Sequence, residues 1–303
     1  MIWTEPLAGT DRTLAALGHI AILLPGLGLL VPVMVWTTAR QRSPGLRFQL
    51  MQAAGAQVIL PVVSLLASLI VLILTLLAAL VVGLVLRGQG AGVESALALL
   101  GIVRIVAAVL IFLIHAVFLG LGLAAAIICL TGKTFRYPFL GTWLEQFLSR
   151  PEGEREQTWL AAVCHAGIFA GLGGLISALV VWISHKERGQ PLAFQSLQAA
   201  VYQALGLAAG LILGTGLALL AGISAAGLIR SGSEFSGLAG LLTASSAFLA
   251  LVCLGLLVLI LPFYQTLPLV AAYRLLNGRE YNYPLLGSWL RSRAAPALNQ
   301  AAG

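Results

Sequence analysis

The chain has 303 residues, 60% of them hydrophobic and only 9% charged, with a mean hydropathy of +1.01. A soluble domain carries about 25% charged residues, so this composition cannot cover a water-facing surface and excludes an ordinary soluble globule. The net charge of +7 would suggest nucleic acid in a soluble protein; here the basic residues sit in short loops between apolar stretches, which points to membrane orientation and anionic lipid instead.

In chain order, apolar runs cover roughly 14–36, 55–86 and 105–130, then 159–183, 201–229 and 238–275. A spanning helix needs about 20 apolar residues, and helices are the realistic form for such runs because the bilayer offers backbone groups no partner. No basic n-region with a cleavage site precedes the first run, so no signal peptide is expected. That first run is interrupted by Pro25-Gly26, Gly28 and Pro32, and the fourth by Gly171, Gly173 and Gly174. Each half is about ten residues, or about 15 Å of helix. Such a run either spans once with a kink or enters and returns on the same side. A short amphipathic segment follows each: Leu46, Phe48, Leu50 and Met51 mixed with Gln49 and Gln52, then Leu192, Phe194 and Leu197 mixed with Gln195 and Gln198. The pattern predicts a short helix lying in the interface before the next span. The runs after these segments exceed one membrane thickness, which tilt or extension would absorb.

One offset of 146 relates the two halves. It places His19 on His165, Trp36 on Trp182, Phe48-Gln49 on Phe194-Gln195, Gln52 on Gln198, Gln57 on Gln203, Tyr137-Pro138 on Tyr283-Pro284 and Trp143 on Trp289. Rare residues match without a gap, so shared apolar composition does not explain the agreement. The expected fold is an all-α integral membrane protein, a polytopic helical bundle of two tandem homologous units with pseudo-twofold symmetry. The units span 1–148 and 158–303. Between them, 149–157 reads SRPEGEREQ, a charged linker with proline and glycine.

Charge sets the expected topology. If each first run returns to its starting side, 14 of the 17 Lys and Arg fall on the side of both termini, leaving Arg87, Arg104 and Arg230 opposite. Three crossings per unit would split them 8 against 9. The positive-inside rule favours the first arrangement, with both termini cytoplasmic in a multi-pass cell-membrane protein.

The candidate polar residues are His19, His165, Gln49, Gln52, Gln195 and Gln198. Ionisable residues at membrane depth are functional candidates, and a pseudo-twofold axis could bring the two histidines together as haem or metal ligands. The plain alternative is a neutral histidine hydrogen-bonded to a neighbouring helix. Glutamines at i, i+3 share one helix face, either lining a polar groove or solvated at the interface. Tyr137, Pro138, Trp143 and Tyr283, Pro284, Trp289 form an aromatic motif suited to the headgroup layer, with docking to a partner as the sharper reading. Arg104 is expected to snorkel or to pair with Glu94. Cys129, Cys164 and Cys253 lie in apolar runs without metal or disulfide spacing. No paired carboxylate, nucleophile with a base, or metal cluster is legible, so no enzyme and no cofactor are expected.

His19, Trp36, Phe48-Gln49 and Arg136-Tyr137-Pro138, with His165, Trp182, Phe194-Gln195 and Asn282-Tyr283-Pro284, resemble a domain of unknown function of bacterial membrane proteins. That domain is related to the Tic-twenty-like component of chloroplast protein import. The resemblance covers two tandem units, nearly the whole chain. Arg47 and Ala193 stand where that family tends to have Asn. It implies a small helical membrane domain, with polypeptide movement or insertion as the function of the chloroplast relative. The leading expectation is a non-enzymatic scaffold or accessory subunit packed against the bilayer and partner membrane helices. A transporter or polypeptide channel, and a haem or metal protein using His19 and His165, are the alternatives.

Overall fold

The computed structural model describes residues 5–39, 41–89, 93–150, 154–186, 191–231 and 237–300. The described residues form helices and turns and contain no strand. The first unit holds α1 (Thr10–Ile20), a 3-10 turn (Ala21–Leu23), α2 (Leu30–Ala39), α3 (Pro44–Gln89), α4 (Val93–Leu130) and α5 (Leu140–Leu148). The second repeats the order with α6 (Arg155–Ala166), a 3-10 turn (Gly167–Ala170), α7 (Leu172–His185), α8 (Pro191–Ser231), α9 (Gly237–Leu276) and α10 (Leu286–Gln300). The protein is an all-α integral membrane protein built from two tandem units.

The first apolar run doubles back on itself. Arg42 pairs with Asp11 at 3.0 Å, and Ser43 Oγ donates to the same carboxylate at 2.6 Å. The residues bracketing the run therefore lie side by side, which a spanning helix forbids. The reversal falls at Pro25-Gly26, where Gly26 adopts φ +72°, a conformation only glycine takes without strain. In the second unit Glu154, Thr158 and Pro191 border one cleft, so that run also returns to its start.

The segments expected as separate interfacial helices are instead the first turns of α3 and α8. Pro44 and Pro191 open these helices, a position where the missing N–H costs nothing. From there the chain stays helical for 46 and 41 residues. At 46 residues α3 is about 69 Å long, against about 30 Å of hydrocarbon. The opening turns, 44–58, make up about 22 Å of this and are buried inside a helical head, while residues 59–83, about 37 Å long, show mostly apolar side chains to their surroundings and fit the hydrocarbon only with tilt. Stretches of α3, α4 and α8 (Pro44–Gly83, Gly101–Leu130, Pro191–Gly227) are long and apolar enough to cross a membrane, and α9 contributes the apolar Thr243–Gly255.

One core joins the units in the head. It gathers Leu29 just before α2, Val33 and Trp36 of α2, Leu46, Leu50 and Ala54 of α3, Trp159, Leu160 and Val163 of α6, and Ala178 and Val181 of α7. Gly55 leaves room for the Trp159 indole, whose Nε1 donates to the Met51 carbonyl at 3.3 Å. Arg47 and Glu156 form an ion pair across the same boundary, and the Trp36 ring stacks on His185. At the apices, the Gly173 N–H donates to the Gly26 carbonyl at 2.6 Å. Arg104 is exposed on α4, and the side chain of Glu94 lies outside the described residues.

Candidate functional site

The polar residues singled out by the repeat form one network in each unit. Each begins with a helix end. Gly132 (φ +84°) and Gly278 (φ +72°) cap α4 and α9 in the left-handed conformation, donating to Cys129 O and Leu275 O at 2.9 and 2.8 Å. The chain then turns back along the head as an extended segment. In the first unit Gln49 Nε2 and Gln52 Nε2 both donate to the Phe135 carbonyl, at 2.9 and 3.0 Å, and the Tyr137 N–H donates to Gln52 Oε1 at 3.0 Å. The glutamine pair thus plays the part of a neighbouring strand for a segment that has none, and leaves few backbone groups unmet.

The histidine completes the network. With Gln49 Nε2 spent on Phe135, its Oε1 must accept, so His19 Nε2–H donates to it at 3.0 Å. That leaves His19 Nδ1 as the acceptor for the Tyr137 hydroxyl at 3.2 Å. The protonation pattern is thereby fixed as one neutral tautomer. The second unit repeats these bonds. His165 meets Gln195 Oε1 at 3.0 Å and the Tyr283 hydroxyl at 2.9 Å. Gln195 and Gln198 donate to the Tyr281 carbonyl at 3.0 and 3.2 Å, and the Tyr283 N–H donates to Gln198 Oε1 at 3.2 Å. A third glutamine, absent from the candidates although its twin was visible in the repeat, ties α3 to α1. Gln57 donates to the Gly18 carbonyl at 3.0 Å, and Gln203 donates to the Cys164 carbonyl at 2.8 Å.

All six candidate polar side chains are fully or almost fully buried. Burial pulls the histidine pKa values down to about 4, only partly offset by the glutamine hydrogen bonds, and both rings stay neutral. These histidines sit on α1 and α6, the short arms that do not span. The Tyr137 hydroxyl is pushed up by the same burial.

The placement answers three expectations. The glutamine amides are consumed by the returning segment, and of the four only Gln195 also borders a described cleft, the one beside Glu154, Thr158 and Pro191. The histidines do not meet across the pseudo-twofold axis. Each has both ring nitrogens engaged inside its own unit, leaving no lone pair for a haem iron or metal, and among the described residues no group of three His, Cys, Asp or Glu comes together. The aromatic motif divides: Tyr137 and Tyr283 turn inward to the histidines, while Pro138, Trp143, Pro284 and Trp289 remain at the surface.

The units are not identical. Tyr202 stacks between Tyr264 and Tyr283, with ring centroids 4.7 and 4.1 Å apart, where the first unit has Ala56 and Phe118. His115, whose counterpart is Leu261, borders a cavity of about 320 Å³ between the first apex and α3–α4, together with Pro25, Gln57, Pro61 and Phe169.

No curated protein and no solved structure matches this chain. A family model does, twice, over residues 10–144 and 156–290, and the two matches begin 146 residues apart, the offset that superposes the histidine networks. With most of its length matched, the chain belongs to the magnetosome magnetite crystal formation protein family, as two tandem copies of the family unit.

Proposed function

We propose that this chain is a non-enzymatic scaffold of a magnetosome membrane, a structural subunit on which magnetite crystal formation depends. The family description supplies the process, and the surface of α8 carries the reading. Gly210 and Gly214 lie one turn apart with nothing within 4 Å of the Cβ position of either. Small residues spaced this way let a second helix approach closely in lipid, where van der Waals packing drives association. The interior supports the same reading. The histidines and glutamines that could have carried protons, ions or substrate are committed to internal hydrogen bonds, so the chemistry on offer is packing.

Both termini lie on the cytoplasmic side in this reading, following the basic residues on the loops of the head. A link to the Tic-twenty-like import components belongs to the proposal only as kinship of a small helical membrane unit. Polypeptide movement would need a polar path between the units, and the boundary is packed with Trp159, Gly55 and Leu29, its Arg47 and Glu156 being paired with each other.

The test is a Gly210→Ile, Gly214→Ile variant, expressed in a magnetite-forming bacterium that lacks the native chain. Both positions open outward, so the fold is retained. The expected result is loss of co-purifying membrane proteins in mild detergent, and crystals as altered in size and number as in the deletion strain. Crystals and partners unchanged by the variant would overturn the scaffold reading, and crystals unchanged by the deletion would remove the link to magnetite.

A further inference from the structure

Phe139 and Leu285 occupy the same position in the two units, and among the described residues they alone combine a side chain with positive φ, +61° and +65°. A bulky side chain in this region is strained, and such strain persists only where the surroundings impose it. Here they do. On one side Tyr137 and Tyr283 are held by the histidine networks, and on the other Gly141 and Gly287 donate back to the Tyr137 and Tyr283 carbonyls at 2.9 and 2.8 Å. The strain has the opposite of a packing outcome: Phe139 is 91% exposed and Leu285 88% exposed, the highest values among the large apolar side chains. Two sets of interactions thus hold one apolar residue per unit out into its surroundings.

Their depth identifies those surroundings. Tyr137 packs with Ala56 and Ala125, and Leu140 reaches Gly55. Tyr283 packs with Ala271, the twin of Ala125. The returning segment has therefore climbed from the end of α4 at Leu130 to the level of Ala125, about 7.5 Å toward the bilayer. At that level α4 presents Leu123, Ile127 and Leu130 outward, an apolar zone of the kind that the hydrocarbon edge of a bilayer covers. Trp143 and Trp289 stand one turn further along α5 and α10, half-exposed. Lys133 before Phe139 and Arg279 before Leu285 are exposed nearer the helix ends, where a headgroup phosphate would lie, while Arg136 is ion-paired with Glu145 at 3.0 Å.

We propose that Phe139 and Leu285 are paired wedges inserted into the headgroup–acyl boundary of the leaflet around the head, with anionic phospholipid as the ligand of the neighbouring basic residues. Apolar side chains dipping into that boundary beside Lys and Arg follow the same balance of burial and charge as an interfacial helix. The role that the sequence assigned to Tyr137 and Tyr283 falls to the residue two places on, which the inward turn of the tyrosines sets free.

The test uses the full chain in phosphatidylglycerol–phosphatidylethanolamine vesicles. Spin labels are placed at Phe139→Cys and Leu285→Cys in a parent carrying Cys129→Ala, Cys164→Ala and Cys253→Ala. Leu76→Cys and Glu154→Cys mark lipid and water. The expected result is oxygen accessibility above nickel-chelate accessibility at both wedge positions, as at Leu76. Nickel-chelate accessibility matching Glu154 would overturn the proposal in favour of water, and low accessibility to both would overturn it in favour of a protein contact. A label-free comparison covers loss of fold in the labelled parent. Lipids brominated near the glycerol end of their chains should quench the unmodified protein more than the Trp143→Phe, Trp289→Phe variant; equal quenching contradicts insertion.

Discussion

The Tyr137 hydroxyl donates to His19 Nδ1 at 3.2 Å across 118 residues of chain, and so fastens the segment after α4 to the first arm of the unit. His19→Leu would leave that hydroxyl buried without a partner, at about 1–3 kcal/mol, and Gln49 Oε1 with only the weak Cys129 thiol at 3.6 Å. The milder Tyr137→Phe removes one bond and should cost about 1 kcal/mol. Thermal unfolding in detergent should show both losses, with His165→Leu and Tyr283→Phe matching them. A His19→Leu variant as stable as the parent would contradict the network.

Acid should loosen the head. His19 and His165 have pKa values near 4 when folded, against 6.5 for an ordinary histidine. The unfolded chain therefore binds more protons between those values, so the stability from these groups is fully present above pH 6.5 and is lost as pH falls toward 4. The shift corresponds to roughly 3 kcal/mol per histidine at most. Melting temperature measured from pH 7.5 to pH 4.5 should fall, and the fall should be smaller in a His19→Gln, His165→Gln variant. An identical slope in the two proteins would remove the histidines from the account.

Glycines divide sharply by position. A Cβ at Gly28 would lie 2.5 Å from the Ala21 carbonyl, and one at Gly174 would collide with the Gly167 carbonyl. Neither neighbour is a flexible side chain, so Gly28→Ala and Gly174→Ala should each cost several kcal/mol and reduce folded yield, on the order of the 1–3 kcal/mol of overpacking or more. Gly210→Ala, with nothing within 4 Å, should be neutral or slightly stabilising through helix propensity. Fluorescence-detected size-exclusion profiles after a heating series would rank the three.

Much of this is legible in the sequence. The offset of 146 paired His19 with His165 and Tyr137 with Tyr283, and the Pro25-Gly26 interruption marked the place where the first run turns. The union of His19, Gln49 and Tyr137 was not readable. It depends on the chain doubling back after Gly132, and on the Phe135 carbonyl, which no side-chain pattern announces. The stretch 46–52 misled for a related reason. An amphipathic period states that one face is polar, and is the same whether that face meets water or, as here, the backbone of a returning segment.

Strain at the exposed wedges is separable from their role. Phe139→Gly removes the left-handed penalty, of order 1–3 kcal/mol for a non-glycine residue, while deleting a side chain that packs on little. In detergent the variant should melt at the same temperature as the parent or higher. A marked loss of stability would mean that Phe139 holds the head together.

Trp159 fills the space beside Gly55 between α3 and α6, and so joins the units alongside the packing of α2 on α7. Trp159→Ala should cost about 3–5 kcal/mol. Because the loss falls on the boundary, proteolysis within 149–157 should accelerate while each half keeps its helical content by circular dichroism. Unchanged cleavage would place the stability of the chain elsewhere.

The central claim is that the first run of each unit enters the membrane and returns, so that every unit crosses an even number of times. Single cysteines at Ala8 and Gln41, in a parent without native cysteines, test it by reaction with a membrane-impermeant maleimide in sealed vesicles of known orientation. The account requires Ala8→Cys and Gln41→Cys to react from the same side, as the Asp11–Arg42 pair demands. Labelling from opposite sides would show a spanning first run and contradict the doubling back of α1 and α2.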